Sequence, residues 1–268
     1  MRCISIRPLS RPWVMAILVF LIAAASATLI IGRLEQNRRR MEYAHVSSHA
    51  GSYAYAIQRH IERALSATYA LAALVRQGNG VVTDFAATAH EMLSLYPGLS
   101  SLQLAPGGVV QQIVPLAGNE KALGYDLLQN PARSKEARLA RDTGQLTLAG
   151  PFELIQGGLG AAGRLPVFLN DRAGSPTFWG FTIVLLRFPE ALAPVKLSGL
   201  VELGFHYELW RIHPDTGQKQ IIAAATSAPL VAPINQIVEV PNATWTLSVS
   251  PINGWNRPLR LAFQAGLG

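Results

Sequence analysis

The chain has 268 residues, half of them apolar, with a formal charge of +7 and one cysteine. A chain of this length and apolar content can bury a substantial core, which excludes general disorder, and the lone Cys3 excludes both a disulfide framework and a cysteine-built zinc site. The charge is concentrated: residues 1–40 hold seven arginines against Glu35, a net of +6, while the remainder is close to balance at +1. A nucleic-acid footprint needs a basic stripe on the folded body, so nucleic acid is not an expected partner. Arginines flanking an apolar run suit anionic lipid headgroups instead.

Trp13 to Ile31 (WVMAILVFLIAAASATLII) carries no charged residue. As a helix it is about 28 Å long, close to the thickness of the bilayer core. A transmembrane helix is expected over residues 13–32, behind a short tail at 1–12. Ala25-Ser26-Ala27 also has the small-x-small pattern of a signal-peptidase site, so cleavage stays open, although Thr28 to Ile31 prolongs the apolar run past it. Three arginines precede the span and four follow it, so the positive-inside count does not fix its orientation.

A helical stalk is expected over residues 33–78. Glu42 to Arg76 contains no proline and one glycine, and Gln77-Gly78-Asn79-Gly80 supplies C-cap and turn chemistry. Val46, Ala50, Tyr53, Ile57, His60, Ala64, Ala67, Leu71 and Leu74 recur at alternating steps of four and three, a heptad spacing that keeps one seam turned toward a neighbour. That neighbour is either the chain's own globular part or the stalk of a second copy, which would make the protein a homodimer. His60 is read as a polar residue tolerated in the stripe.

Beyond Val81 the period changes. Thr83-Asp84 opens a helix through Leu95, which Tyr96-Pro97-Gly98 stops. Leu99 to Leu104 and Val109 to Val114 alternate as the two strands of a hairpin around Ala105-Pro106-Gly107-Gly108. Asn130 and Pro131 are expected to start a helix that Thr143-Gly144 ends. Gln145–Gly150, Pro151–Gln156, Leu165–Leu169 and Phe178–Leu186 read as strands, and FPEALAPVK as a short connecting helix. A second strand set is expected at Leu200–Gly204, Tyr207–Ile212, Lys219–Ala225, Gln236–Val240 and Thr244–Ser250.

The run from Pro97 to Leu169, with its segments GYDLL, ARDTG and LTLAGPF, resembles the CHASE domain, an extracytoplasmic sensor module of bacterial, slime-mould and plant membrane receptors. The resemblance implies an α+β fold in which the transmembrane and stalk helices precede two PAS-like antiparallel sheet lobes. These are a membrane-distal lobe at 81–187 and a membrane-proximal lobe at 188–258. It also implies a location outside the bacterial inner membrane, in the periplasm. The partners implied are a small-molecule ligand and the membrane, with no cofactor. Residues 259–268 are expected to approach a second membrane helix, beyond which a cyclase or histidine kinase would give the output; a membrane-tethered binding or scaffold protein is the alternative.

By the same resemblance the ligand site is expected to include Asp126 in GYDLL, Thr143 in ARDTG and the main chain of Leu148 in LTLAGPF. Read from the residues alone, Asp126 also suits a loop or cap acid, and Thr143 a helix C-cap. Small residues in QGGLGAAGRLP depart from the plant pattern at the pocket's far wall, so the ligand need not be an adenine-type hormone. Arg138 and Arg141 are read as a solvated helix face.

Other chemistry finds little support. Gly158-Leu159-Gly160-Ala161-Ala162-Gly163 matches GxGxxG, but that pattern binds pyrophosphate only when it opens a helix. With Pro166 close behind, it is expected to be a flexible hairpin loop. There is no G-x-S-x-G nucleophile elbow, and the six histidines show no metal-binding spacing. No catalytic activity is expected of these residues. Trp255 is read as a rim tryptophan facing a bilayer interface.

Overall fold

The computed structural model describes residues 11–129, 134–154 and 157–255. The chain divides into two compact units, Met1–Ser47 and Ser48–Gly268. Helix α1 (Arg11–Gln77) carries this division within it.

In the first unit the apolar side chains from Trp13 to Ile31 are exposed, including Phe20 at 71%. The helix is long and apolar enough to cross a membrane by length and composition, and lipid would satisfy what no protein group covers. Below it Glu35 bridges Arg38 at 3.3 Å and Arg39 at 3.1 Å, one helical turn away. These guanidiniums hold the Glu35 carboxyl below its ordinary value, the Arg39 hydrogen bond being the main cause.

The second unit contains two antiparallel sheets. The first comprises β1 (Leu99–Pro106), β2 (Gln112–Val114), β3 (Thr147–Glu153), β4 (Leu159–Asn170) and β5 (Pro176–Phe188), in the order β2-β1-β5-β4-β3. The second comprises β6 (Phe205–Ile212), β7 (Lys219–Ala224), β8 (Ile234–Val240) and β9 (Ala243–Pro251), in the order β7-β6-β9-β8. Helices α2 (Phe85–Leu95), α3 (Lys135–Thr143) and α4 (Ser198–Glu202) complete the fold. A mixed helix and sheet protein with two antiparallel sheets is thus what the sequence implied.

Pleating divides the first sheet into two faces. Leu102, Val184, Gly163 and Leu148 pair across one row, and Gln103, Ile183, Arg164 and Thr147 across the next, pointing the opposite way. The first face meets α1: Thr182 Oγ1 donates to the Thr68 carbonyl at 3.0 Å, and Gly163 lies against Leu65. The stalk stripe is therefore used inside the chain. Ala50, Ile57, Ala64, Ala67 and Leu71 are no more than 1% exposed, which leaves no heptad seam there for a partner helix. His60 is held by the same packing, its Nε2 lying 2.7 Å from the Ala191 carbonyl oxygen. Burial pushes the His60 imidazolium to a lower pKa, so protonation works against the packed form.

Several boundaries differ from the sequence reading. Leu200–Gly204 is not a strand: Ser198–Glu202 forms α4, with Leu197 and Leu200 buried three residues apart as one turn of helix requires. The expected strands either side of Pro151 are a single strand, β3, whose register shifts between Ala149 and Phe152. Only Gln112–Val114 of the expected hairpin partner is a strand, and Val109 bridges to Asp126 instead.

The glycine-rich segment is a correction with a packing cause, because Leu159–Asn170 is one strand, β4, and not a loop. A Cβ on Gly163 would run into Leu65 and come 2.9 Å from Val184 Cγ2, and one on Gly160 would lie 2.7 Å from the Leu186 carbonyl oxygen. Glycine here permits close layers rather than flexibility. The expected helix start at Asn130 and Pro131, and the expected approach to a second membrane helix at 259–268, lie outside the described residues.

Candidate functional site

The second face of the first sheet does not meet α1. It closes over a cavity of about 60 Å³ with walls from β1, β3, β4, β5 and the segment before α3. Apolar walls come from Val110, Leu127, Phe152, Leu154, Ile183 and Leu185, and polar groups from Gln103, Tyr125 and Arg164. Each polar group has a structural reason to be there. Gln103 and Arg164 stand in the same row on either side of Ile183, so pleating aims both side chains at the cavity. Tyr125 and Leu127 flank Asp126, which bridges to Val109, in a segment pinned by Val110 N donating to the Tyr125 carbonyl at 3.0 Å and Leu127 N to the Gly108 carbonyl at 2.9 Å.

Arg164 is 3% exposed and Gln103 5%. One amide hydrogen of Gln103 goes to Ser101 Oγ at 3.1 Å. The Tyr125 hydroxyl is buried with no hydrogen-bond partner among the described residues. No Asp or Glu is among the described residues that line the cavity. Burying a hydroxyl in an apolar wall is costly unless something completes its hydrogen bond, and a cavity with the Tyr125 hydroxyl in its wall suits a small polar occupant. Larger depressions exist, such as one of about 460 Å³ beside α2 and β2, but Phe85 and its neighbours form an open groove there without a buried polar cluster.

The three residues expected from the resemblance are not gathered round this cavity. Asp126 lies between two lining residues, but its carboxylate is taken up by the turn that follows, accepting from the Leu128 and Gln129 amides at 2.8 and 3.1 Å. Thr143 is exposed at the end of α3, donating to the Leu139 carbonyl at 2.7 Å. Leu148 stands on the row that faces α1, and its amide donates to Asn242 Oδ1 at 2.7 Å in the β8–β9 turn. Sequence reasoning missed Arg164, Gln103 and Tyr125. The available signal was a polar residue set between apolar neighbours, as in Leu102-Gln103-Leu104 and Gly163-Arg164-Leu165.

Edge strand β3 joins the cavity to the second sheet. Phe152 lines the cavity, while Arg211 on β6 donates to the Gly150 carbonyl and, at 2.9 Å, to that of Pro151. Arg211 Nε donates to Gln220 Oε1 at 2.9 Å. Burial pulls the Arg211 guanidinium down from its ordinary pKa, and the Glu136 and Asp215 carboxylates work against that fall. Phe188 and Trp245 meet edge to face, 5.7 Å apart, also between the sheets. Trp255 donates to the Ala232 carbonyl at 3.0 Å, so its ring nitrogen is engaged within the protein.

Among the described residues no cluster of His, Cys, Asp and Glu is placed to hold a metal ion. The GxGxxG segment opens no helix, since it enters β4.

The chain thus combines one long helix with two antiparallel sheets, the first of which has a small lined cavity on one face. Residues 49–220 match the CHASE domain, and the chain belongs to the CHASE domain family. Among solved structures it is similar to an extracellular ligand-binding receptor from Desulfohalobium retbaense, with a TM-score of 0.57 and 14% identity over 74% of this chain. The chain spans 38% of that receptor's length. It is also similar to the extracellular domain assigned to a histidine kinase, rpHK1S-Z16, with a TM-score of 0.51 and 14% identity, covering 78% of this chain and 94% of that one. No curated protein matches the chain at a significant level. Family and fold together support a sensor role outside the cytoplasm.

Proposed function

We propose that the protein is a membrane-anchored sensor of the bacterial inner membrane. Its two lobes stand in the periplasm, and it takes a small molecule into the cavity of the first, membrane-distal lobe. The carrying observation is that cavity, which holds Arg164, Gln103 and the Tyr125 hydroxyl within an apolar wall. Strand order β2-β1-β5-β4-β3 supports a PAS-like reading of the lobe. Occupancy would draw β3, β4 and β5 together, and the sheet face behind them rests on α1 through Thr68 and Leu65. A ligand that favours one packing of sheet on stalk shifts the population of that packing. The output, a cyclase or histidine kinase acting in the cytoplasm, belongs to this proposal and so does homodimerisation. A second copy would meet the outward face of α1, where Tyr55 and Tyr69 are exposed, rather than the buried stripe. Asp126, Thr143 and Leu148 serve the site in this reading by holding its walls.

A thermal-shift screen of the full chain in detergent, with purines, amino acids and small carboxylates, tests the proposal. At least one compound is expected to stabilise the wild type, and Ala162→Leu, which grows a side chain into the cavity, is expected to abolish that effect while leaving the fold intact. A stabiliser equally effective on the filled-cavity variant would place binding elsewhere and contradict the reading.

A further inference from the structure

The wall of the cavity also selects among small molecules, and this step rests on the proposed function. A water molecule occupies roughly 10–15 Å³ by this kind of measure, so about 60 Å³ holds roughly four to six water-sized groups. That is far below the ~300 Å³ at the lower end of pockets for drug-sized ligands, which favours a ligand of few non-hydrogen atoms. Arg164 is the one charged residue among the described lining residues. Its planar fork matches a carboxylate through two parallel hydrogen bonds. Tyr125 carries a hydroxyl donor and Gln103 a second amide hydrogen besides the one given to Ser101. The donors thus outnumber the acceptors, as an acceptor-only ligand requires. Val110, Leu127, Ile183 and Leu185 leave an apolar end for a methyl or ethyl group.

We infer that the ligand is a short-chain monocarboxylate of two or three carbons, its carboxylate on Arg164 and Tyr125 and its carbon chain against the aliphatic wall. A dicarboxylate would bury a second charge with no partner, which the low-dielectric wall penalises heavily.

Isothermal titration of the full chain in detergent with acetate, propionate and pyruvate tests this, with acetamide and propionamide as neutral isosteres. At least one acid is expected to bind at a single site, with its amide at least about tenfold weaker. Arg164→Met is expected to weaken the acid about a hundredfold or more, and Tyr125→Phe, which keeps the ring and its packing, about ten- to hundredfold. Arg172→Ala, exposed in the turn between β4 and β5, is expected to stay within about twofold of the wild type, less than the loss of a single weak hydrogen bond. Failure of all three acids to bind, amides matching their acids, or wild-type affinity in Tyr125→Phe would each overturn the assignment. If the acids fail while a neutral compound binds and Ala162→Leu blocks it, the carboxylate class falls and the sensor reading stands. If nothing in either set responds to Ala162→Leu, both fall.

Discussion

Trp245→Ala is expected to destabilise the protein by about 3–5 kcal/mol, the range for truncating a fully buried large aromatic. Trp245 is 0% exposed and meets Phe188, itself 7% exposed, in an edge-to-face contact between the two sheets. The void would open where β5 and β9 converge, and neither strand can collapse into it without breaking its ladder. A fall in melting temperature of about 10 °C follows for a body of this size. Trp245→Phe separates packing from polarity. The indole N–H is buried with no partner among the described residues, so phenylalanine removes an unsatisfied donor along with some area, and the two effects partly offset. We expect that variant to lose less than about 1.5 kcal/mol. Chemical denaturation of the three proteins checks the ranking, and a Phe variant as weak as the Ala variant would mean that the indole N–H has a partner worth keeping.

Arg211→Ala is expected to cost about 3 kcal/mol. Arg211 is 6% exposed, and its guanidinium serves Gly150, Pro151 and Gln220 together. Hydrogen bonds to a charged group contribute about 1.5–3 kcal/mol net, not additively when one group makes several, and truncation leaves two buried carbonyls without their donor. Arg211→Lys is expected to recover less than half, because a point charge cannot span both carbonyls as a fork does. The loss is also expected to be local first: limited proteolysis should cut near β3 before the second sheet opens. A melting temperature within about 1 °C of the wild type in Arg211→Ala, the behaviour of a surface arginine, would contradict the bridging role.

Much of this architecture was legible because its signals are local. The uncharged run from Trp13 to Ile31, the glycines after Gln77 and the alternation through Leu99–Leu104 each dictate structure within a few residues. What misled was residue chemistry whose meaning depends on a distant neighbour. Gly160 and Gly163 look like loop residues until Leu186 and Leu65 are brought against them. The apolar stripe of the stalk has the spacing of a coiled coil, yet a sheet takes the place of a second helix, and heptad spacing cannot tell the two apart. Leu200 was read into a strand because one turn of helix, Leu197 to Leu200, is too short to show its period.

The candidate site was the least legible part. Transfer by motif pointed to the segment that carries Tyr125 and Leu127, but adjacent residues in one segment send their side chains different ways. Asp126 caps Leu128 and Gln129 while its neighbours form the wall. Arg164 and Gln103 meet only through the register of β1, β4 and β5, which no local pattern encodes.

The central claim is that an occupant of the first lobe is felt by the stalk through a sheet one layer thick. Hydrogen-exchange mass spectrometry of the full chain, with and without the stabiliser found in the ligand screen, tests it most directly. Added protection is expected in the segment around Tyr125 and Leu127, in β3 and β4, and across the sheet in α1 between Ile61 and Val75, where Leu65 and Thr68 meet the strands. Protection confined to the second sheet, or a stalk that exchanges identically with and without ligand while the cavity segments are protected, would contradict it.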